Sequence, residues 1–376
     1  MALLALVLRL AVGYELAAKY PPVSHPASAT DMATYLDLGQ AVFRGSYDYH
    51  QGFYYQPFYY TAFLPALFAT GLPPATAIYA GQALVAALAV WLLGLSVARL
   101  YGRFAGLAAA ALLALARMHI FKGSVALLEV LQSFWVVAFC YLGLWAARGT
   151  ARQPWRWALC GLIGGLGVVT RGNFLLLWPV ALAYLAWQYR RQPRRLVLAA
   201  LLFLAGGYLP QLPYAVTNYR VMGEWVGPST AGPAVLALGN TPESPPGGRD
   251  PGTGAGPMEY PESYGRWRQL ATDPGPERRG IAAQVADWLR QQPLAWPELK
   301  WRMLLLFWNQ DEIPNNVALQ DAMGHWVPSK VLQLPLLVDF LALGALALTG
   351  SLLLWQRRRG HPSRLWLLGL LWAYCA

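Results

Sequence analysis

The stretch from Gly102 to Ala146, "GRFAGLAAAALLALARMHIFKGSVALLEVLQSFWVVAFCYLGLWA", decides the fold. It holds two apolar runs, 103–120 and 124–147, each near the roughly 17–25 residues that cross a bilayer. Between their centres stands the short polar string "RMHIFKGS", so the pattern predicts a membrane hairpin with its turn at one surface. Arg117, His119 and Lys122 fall at that turn, and Glu129 falls one to two turns into the second run. Ionisable groups at such depth are costly and mark function by default.

Outward from this hairpin the same grain continues. Apolar runs recur at 1–18, 74–98, 155–170, 173–189, 194–213 and 331–355. A last run, Leu365–Ala376, is too short to cross, so the natural protein is expected to continue beyond it. The reading is an all-α polytopic membrane protein with about nine spans, the last truncated. Composition agrees: 56% of residues are hydrophobic and 12% charged, against about 25% charged in soluble domains. Seventeen Trp and twenty Tyr suit many membrane–water boundaries. Cys140, Cys160 and Cys375 lie in apolar runs without metal-ligand or pairing spacing, and read as small core residues.

The net charge of +11 matters through its distribution. Short acid-free connections carry Arg99 and Arg103; Arg148, Arg152 and Arg156; Arg190, Arg191, Arg194 and Arg195; and Arg357, Arg358, Arg359 and Arg364. The positive-inside rule makes these cytoplasmic, with the N-terminus inside. Arg9 interrupts the first run and no basic region precedes it, which favours a span over a cleaved leader. Residues 1–213 then form a transmembrane module with a first outer loop at 19–73, 214–330 an outward loop region, and 331–376 a C-terminal transmembrane part. Segment 214–330 has ten Lys/Arg and twelve Asp/Glu, which excludes a basic nucleic-acid surface.

In the first outer loop, Ser28 or Thr30 caps a helix beginning near Asp31. Met32, Tyr35, Leu36, Val42 and Phe43 share one face of it, as in a helix lying on the membrane surface. From spacing alone Asp31 serves the helix dipole. Pro57–Thr70 reads as a second interfacial helix, its tyrosines as an aromatic belt. In the late loop, Gly239–Pro257 is dense in Gly and Pro and reads as irregular. Glu277–Gln291 is an amphipathic helix with Ile281, Val285, Trp288 and Leu289 on one face. An apolar helix after it ends in an acidic turn at Asp311 and Glu312.

The topology gathers Arg117, Lys122, Glu129 and Arg171 at the outer face, with Arg9 and Glu15 in the outer half of the first span and Asp31 above them. Cations at headgroup depth suit a lipid-linked phosphate, which Arg binds bidentately and Lys as a point charge. Snorkelling is the plainer reading of Lys122 or Arg171 alone. His119 reads as a hydrogen-bonded interface residue, and "GLIGGLGVV" as helix-packing glycine rather than a phosphate loop. No carboxylate pair has metal-site spacing.

In order and topology the chain resembles the GT-C class of membrane glycosyltransferases. It is most similar to the glycosyltransferase family 39 group of protein O-mannosyltransferases and the lipid A aminoarabinose transferase. Besides the central hairpin, four stretches carry the resemblance. They are "SATDMATYLDLGQAVFRG" (28–45), "YYQPFYYTAFLPALF" (54–68), "GLIGGLGVVTRGNFLLLWPVAL" (161–182), and the late-loop strings beginning at Tyr208 and Leu289. The resemblance implies a GT-C fold and a sugar donor on a polyprenyl phosphate. It gives Asp31 the role of general base toward the acceptor, and inversion at the anomeric carbon. Arg171, Lys122 and Arg117 would steady the leaving phosphate, with Glu129, Tyr35 and Glu312 supporting these groups from behind or facing the acceptor.

Relatives often have an adjacent acid pair where Asp31 is followed by Met32, so neither metal nor cofactor is expected. The partners expected are the donor, the bilayer and an unspecified protein, lipid or polysaccharide acceptor, not nucleic acid. The bias of twenty-five Arg to four Lys points to a GC-rich prokaryotic genome and thus a plasma-membrane location. The rival reading is a flippase or transporter of lipid-linked saccharides. Repeated halves around a mid-membrane site would mark one, and neither feature is visible. An inactive assembly partner is a third reading, one that would tolerate loss of Asp31.

Overall fold

The computed structural model describes residues 1–28, 30–148, 153–232, 235, 239–240, 280–308, 317–323, 329–356 and 366. Asp311, Glu312 and Cys375 lie outside them, as do most of the Gly/Pro-rich late loop, Arg357–Arg359 and nearly all of the final apolar run. The chain divides into two compact units. The first comprises residues 1–48 and 56–213 with the described residues after 314. The second comprises residues 49–55 with the described residues between 214 and 313.

The described residues of the first unit are mainly helical. It runs through α1 (Ala2–Lys19), α2 (Pro21–Ser24) and α3 (Asp31–Phe43), then a π-helical turn at Tyr59–Phe63 that leads into α4 (Leu64–Phe68). There follow α5 (Pro74–Tyr101), α6 (Arg103–Leu115), α7 (Arg117–Lys122), α8 (Glu129–Ala147), α9 (Arg156–Thr170), α10 (Leu177–Gln188), α11 (Pro193–Tyr208) and a late helix, Phe340–Gln356. Among the described residues three helical stretches are long and apolar enough to cross a membrane: Pro74–Tyr101, Glu129–Ala147 and Pro193–Met222. Arg103–Leu115, Arg156–Thr170 and Phe340–Leu354 are apolar but shorter.

Small residues set how closely these helices pack, as expected where lipid removes the usual hydrophobic drive between them. α1 buries Ala5, Arg9, Val12, Gly13 and Leu16, one stripe at helical spacing, against α5. A Cβ on Gly13 would sit 2.5 Å from the Tyr79 ring. α5 buries Ala83, Ala86, Ala89 and Val90 and exposes Leu84, Leu88 and Trp91 at i, i+4 and i+7, a stripe fitted to lipid. Gly102 (φ +92°) reverses the chain from α5 into α6 in a conformation that favours glycine. The glycines of "GLIGGLGVV" do pack helices. A Cβ on Gly161 or Gly165 would run into the carbonyl oxygens of Phe203 and Gly207 on α11, and one on Gly206 into that of Ala158 on α9.

Three apolar runs are interrupted. The run 103–120 breaks after Leu115, where Ala116 turns extended and pairs in a parallel bridge with Val338. Val338 N–H donates to Leu115 O at 2.8 Å, and Arg117 N–H to Val338 O at 3.0 Å. The thirteen-residue α6 is therefore only about 20 Å long. The same bridge keeps 331–339 out of the late helix, which starts at Phe340. The run 124–147 becomes helical only at Glu129, because residues 123–128 form a bend. Gln82 holds that bend through Nε2, donating to Gly123 O at 3.3 Å and Val125 O at 2.6 Å. Glu129 thus stands at the start of α8, rather than one to two turns inside it.

In the second unit Asn218, buried on α12 (Leu212–Met222), accepts from Phe53 N–H at 2.7 Å and donates to Gly227 O at 2.9 Å. The amphipathic helix is present as Gly280–Gln291, with Val285 and Trp288 buried, and the apolar helix as Ala295–Phe307.

Candidate functional site

α3 starts where its cap predicts. Thr30 Oγ1 accepts from Ala33 N–H at 3.3 Å, and Asp31 is the first helical residue. The Asp31 side chain is exposed, while Met32, Tyr35 and Gly39 of the same helix are buried. This face packs on the π-turn and α4. Tyr35 meets Tyr59 edge-to-face at 5.3 Å, and Gly39 lets the helix close on Leu64. Phe43, expected on the apolar face, is half exposed, its ring 6.1 Å from that of Phe68.

The segment 57–68 is helical as expected, but its tyrosines are not a surface belt. Tyr59 and Tyr60 are wholly buried. Leu64 N–H reaches back five residues to Tyr59 O, just before Pro65, whose ring has no N–H to continue the ladder. Such π-turns recur at functional sites. The Tyr59 hydroxyl has no hydrogen-bond partner among the described residues. Burial first, then the Glu129 carboxylate and Tyr35, push its pKa well above the ordinary tyrosine value.

Glu129 opens α8, where a carboxylate suits the helix dipole. Its Oε2 is buried and unpartnered among the described residues, as are both amide atoms of Gln132 one turn on. Trp135, a further turn along, packs on Phe58 at 5.8 Å and donates from Nε1 to Thr170 Oγ1 at 2.9 Å. Tyr35, Tyr59 and Glu129 therefore come together. Tyr59 and Gln132 escaped the sequence reading: one was hidden in an aromatic run, the other was a lone amide in an apolar helix.

The cations divide by role. Arg9, fully buried, donates from Nη1 to Ala5 O and Ala114 O at 3.1 Å and from Nη2 to Leu113 O at 3.0 Å. Its Nη2 also lies 2.9 Å from His119 Nδ1. It thus ties α1 to the end of α6, and His119 is hydrogen-bonded as expected. Arg117 turns to the bridging segment, pairing with Asp339 at 3.3 Å and donating to Leu334 O at 3.4 Å. Glu15 accepts from Ser329 Oγ at 2.5 Å. Tyr20, just past α1, donates to Asp321 at 3.4 Å. Burial and that carboxylate push the phenol up to about 12. Lys122 is half-buried at the end of α7, its Nζ 5.8 Å from the centre of the Phe121 ring. Arg171 is exposed in an extended conformation at the end of α9. Among the described residues no three His, Cys, Asp or Glu side chains gather as a metal-binding group.

Among the described residues, apolar helices without strands, packed through glycine, with carboxylate, phenol and amide groups buried among them, define an all-helical membrane protein. Residues 56–213 match the model of the dolichyl-phosphate-mannose-protein mannosyltransferase family, a family of membrane glycosyltransferases. Over that stretch, from the π-turn to the end of α11, the chain is similar to the family to which its sequence pattern pointed. Glu129, Lys122, Arg117 and Arg171 lie inside the match, and Asp31 lies before it. No curated protein and no solved structure matches the chain.

Proposed function

We propose that the protein is a membrane glycosyltransferase that moves a sugar from a polyprenyl phosphate to an acceptor on the outer face of a plasma membrane. The observation that carries this reading is the family match across 56–213. The placement of α3 supports it further, since the helix that presents Asp31 docks through Tyr35 on the matched segment. The donor is amphiphilic, and apolar helices next to exposed cations suit both its parts.

In the proposed step Asp31 takes the proton of the attacking acceptor group, whose heteroatom bonds to the anomeric carbon. The bond from that carbon to the phosphate oxygen breaks, and the electron pair leaves with the lipid phosphate. Attack opposite the leaving group inverts the configuration. Arg171 and Lys122 offset the charge growing on the phosphate. Arg117, bound to Asp339 and Leu334, holds the hairpin turn and acts on the phosphate only if that pairing opens. A positioned general base contributes about 10²–10⁴-fold. The test is Asp31→Asn in the intact protein reconstituted in vesicles with a labelled polyprenyl-phosphate sugar and a membrane extract as acceptor. Transfer should fall by about that factor with insertion unchanged. Transfer at the wild-type rate would remove Asp31 from the mechanism.

A further inference from the structure

Buried polar groups in native proteins are almost always hydrogen-bonded, and each exception calls for an explanation such as a missing ligand or water. Four such atoms converge at the start of α8: Glu129 Oε2, Gln132 Nε2 and Oε1, and the Tyr59 hydroxyl, none with a partner among the described residues. Gln132 is 1% exposed and Tyr59 0%. Their convergence follows from helix geometry. Glu129 acts on Tyr59, and Trp135 packs on Phe58, so residues 58 and 59 lie along the first two turns of α8. At about 100° per residue, Gln132 projects midway between Glu129 and Trp135, in both angle and height. The amide therefore lies on the same face of α8 as Glu129 and Trp135, the face turned to residues 58 and 59.

The donor and acceptor inventory selects the occupant. A carboxylate accepts, an amide does both through separate atoms, and a phenol does either. Adjacent sugar hydroxyls, each able to donate and accept, match this set, and the packed rings of Phe58 and Trp135 give it an apolar flank. A phosphate does not match, because the Glu129 carboxylate that stands here would repel it. Resting on the transferase reading above, we propose that Tyr59, Glu129 and Gln132 form the subsite that grips the sugar ring of the donor by its hydroxyls. Specificity for the sugar then resides at the start of α8, apart from the base at the start of α3.

Polyprenyl-phosphate mannose, glucose, galactose and arabinose serve as probes, then the monodeoxy analogues of whichever is used best. A site built to hydrogen-bond a hydroxyl rejects the analogue lacking it by up to about 10⁴–10⁵-fold. Wild type should thus discriminate strongly against at least one deoxy donor. Gln132→Leu and Tyr59→Phe should lose most of that discrimination, with the full donor's KM raised tenfold or more. Donor binding, read by Trp fluorescence in the Asp31→Asn background, should weaken in parallel. Because neither side chain loses a partner among the described residues, both variants should melt at or above the wild-type temperature. Unchanged discrimination together with a lowered melting temperature would mean that the cluster holds ordered water only, and the proposal is overturned. Wild type that transfers while both variants discriminate normally sinks the subsite alone. Wild type that neither binds nor transfers any of the four donors sinks the transferase reading and the subsite with it.

Discussion

Replacing Gly206 by Ala places a methyl group in the seam between α9 and α11, where backbone faces backbone. The new Cβ would strike the carbonyl oxygen of Ala158 and lie 3.0 Å from its carbonyl carbon and 3.1 Å from Leu162 N. Optimal carbon contacts are about 3.5–4.0 Å, so the clash is relieved only if the helices part by about 1 Å. Neither side can yield by rotating a side chain, because the obstructing atoms are main chain. Parting them also loosens Phe203, which is fully buried and contacts Phe139 and Trp178. A radial gap of that size forfeits a quarter to a half of each dispersion contact, and overpacking of this kind costs about 1–3 kcal/mol. The assay is thermal unfolding in detergent followed by Trp fluorescence. Gly350→Ala, whose Cβ meets nothing within 4 Å in the late helix, serves as the matched control. Gly206→Ala should melt well below wild type, and Gly350→Ala at or slightly above it, since Ala favours a helix over Gly. Equal melting of the two variants would refute the close-packed seam.

Two other perturbations follow from the same structure. Tyr59 holds its proton in the folded protein at a pH where the unfolded chain loses it. Stability therefore falls as pH rises above about 10, by about 1.4 kcal/mol per pH unit from this group. Tyr59→Phe should flatten that decline in melting curves between pH 9 and 11, and an unaltered slope would show that the phenol is not held this way. A double-mutant cycle on Arg117 and Asp339 should give a coupling of only about 0.2–1 kcal/mol, because the Asp339 side chain is half exposed. Arg117→Ala alone should cost more than Asp339→Ala, since it also loses the hydrogen bond to Leu334 O; equal single costs would contradict this.

Much of the architecture was legible because hydropathy over some twenty residues is a strong signal. The bounds of α9, the starts of α5 and α11, the cap at Thr30 and the packing role of the α9 glycines all followed from local pattern. What escaped depends on distant residues. Nothing in the Ala-rich run around Ala116 announces a break, since the bridge to Val338 more than two hundred positions later imposes it. The bend before Glu129 likewise rests on Gln82, a lone amide in another helix. Arg9 carried a charge signal that pointed to function, yet its buried contacts are with carbonyls and His119, a structural knot. Tyr59 and Gln132 were invisible for the converse reason: each looks like filler until burial without a partner among the described residues singles it out.

The proposed reaction breaks the bond between a sugar and a polyprenyl phosphate. Its most direct test is the chemical fate of a doubly labelled donor, marked in the sugar and in the lipid phosphate, incubated with the intact protein in sealed vesicles. The sugar label should pass to an acceptor with inverted anomeric configuration. The phosphate label stays on free polyprenyl phosphate, and both changes are lost in Asp31→Asn. Recovery of both labels on one intact molecule, moved to the opposite leaflet, would contradict it and establish a flippase instead.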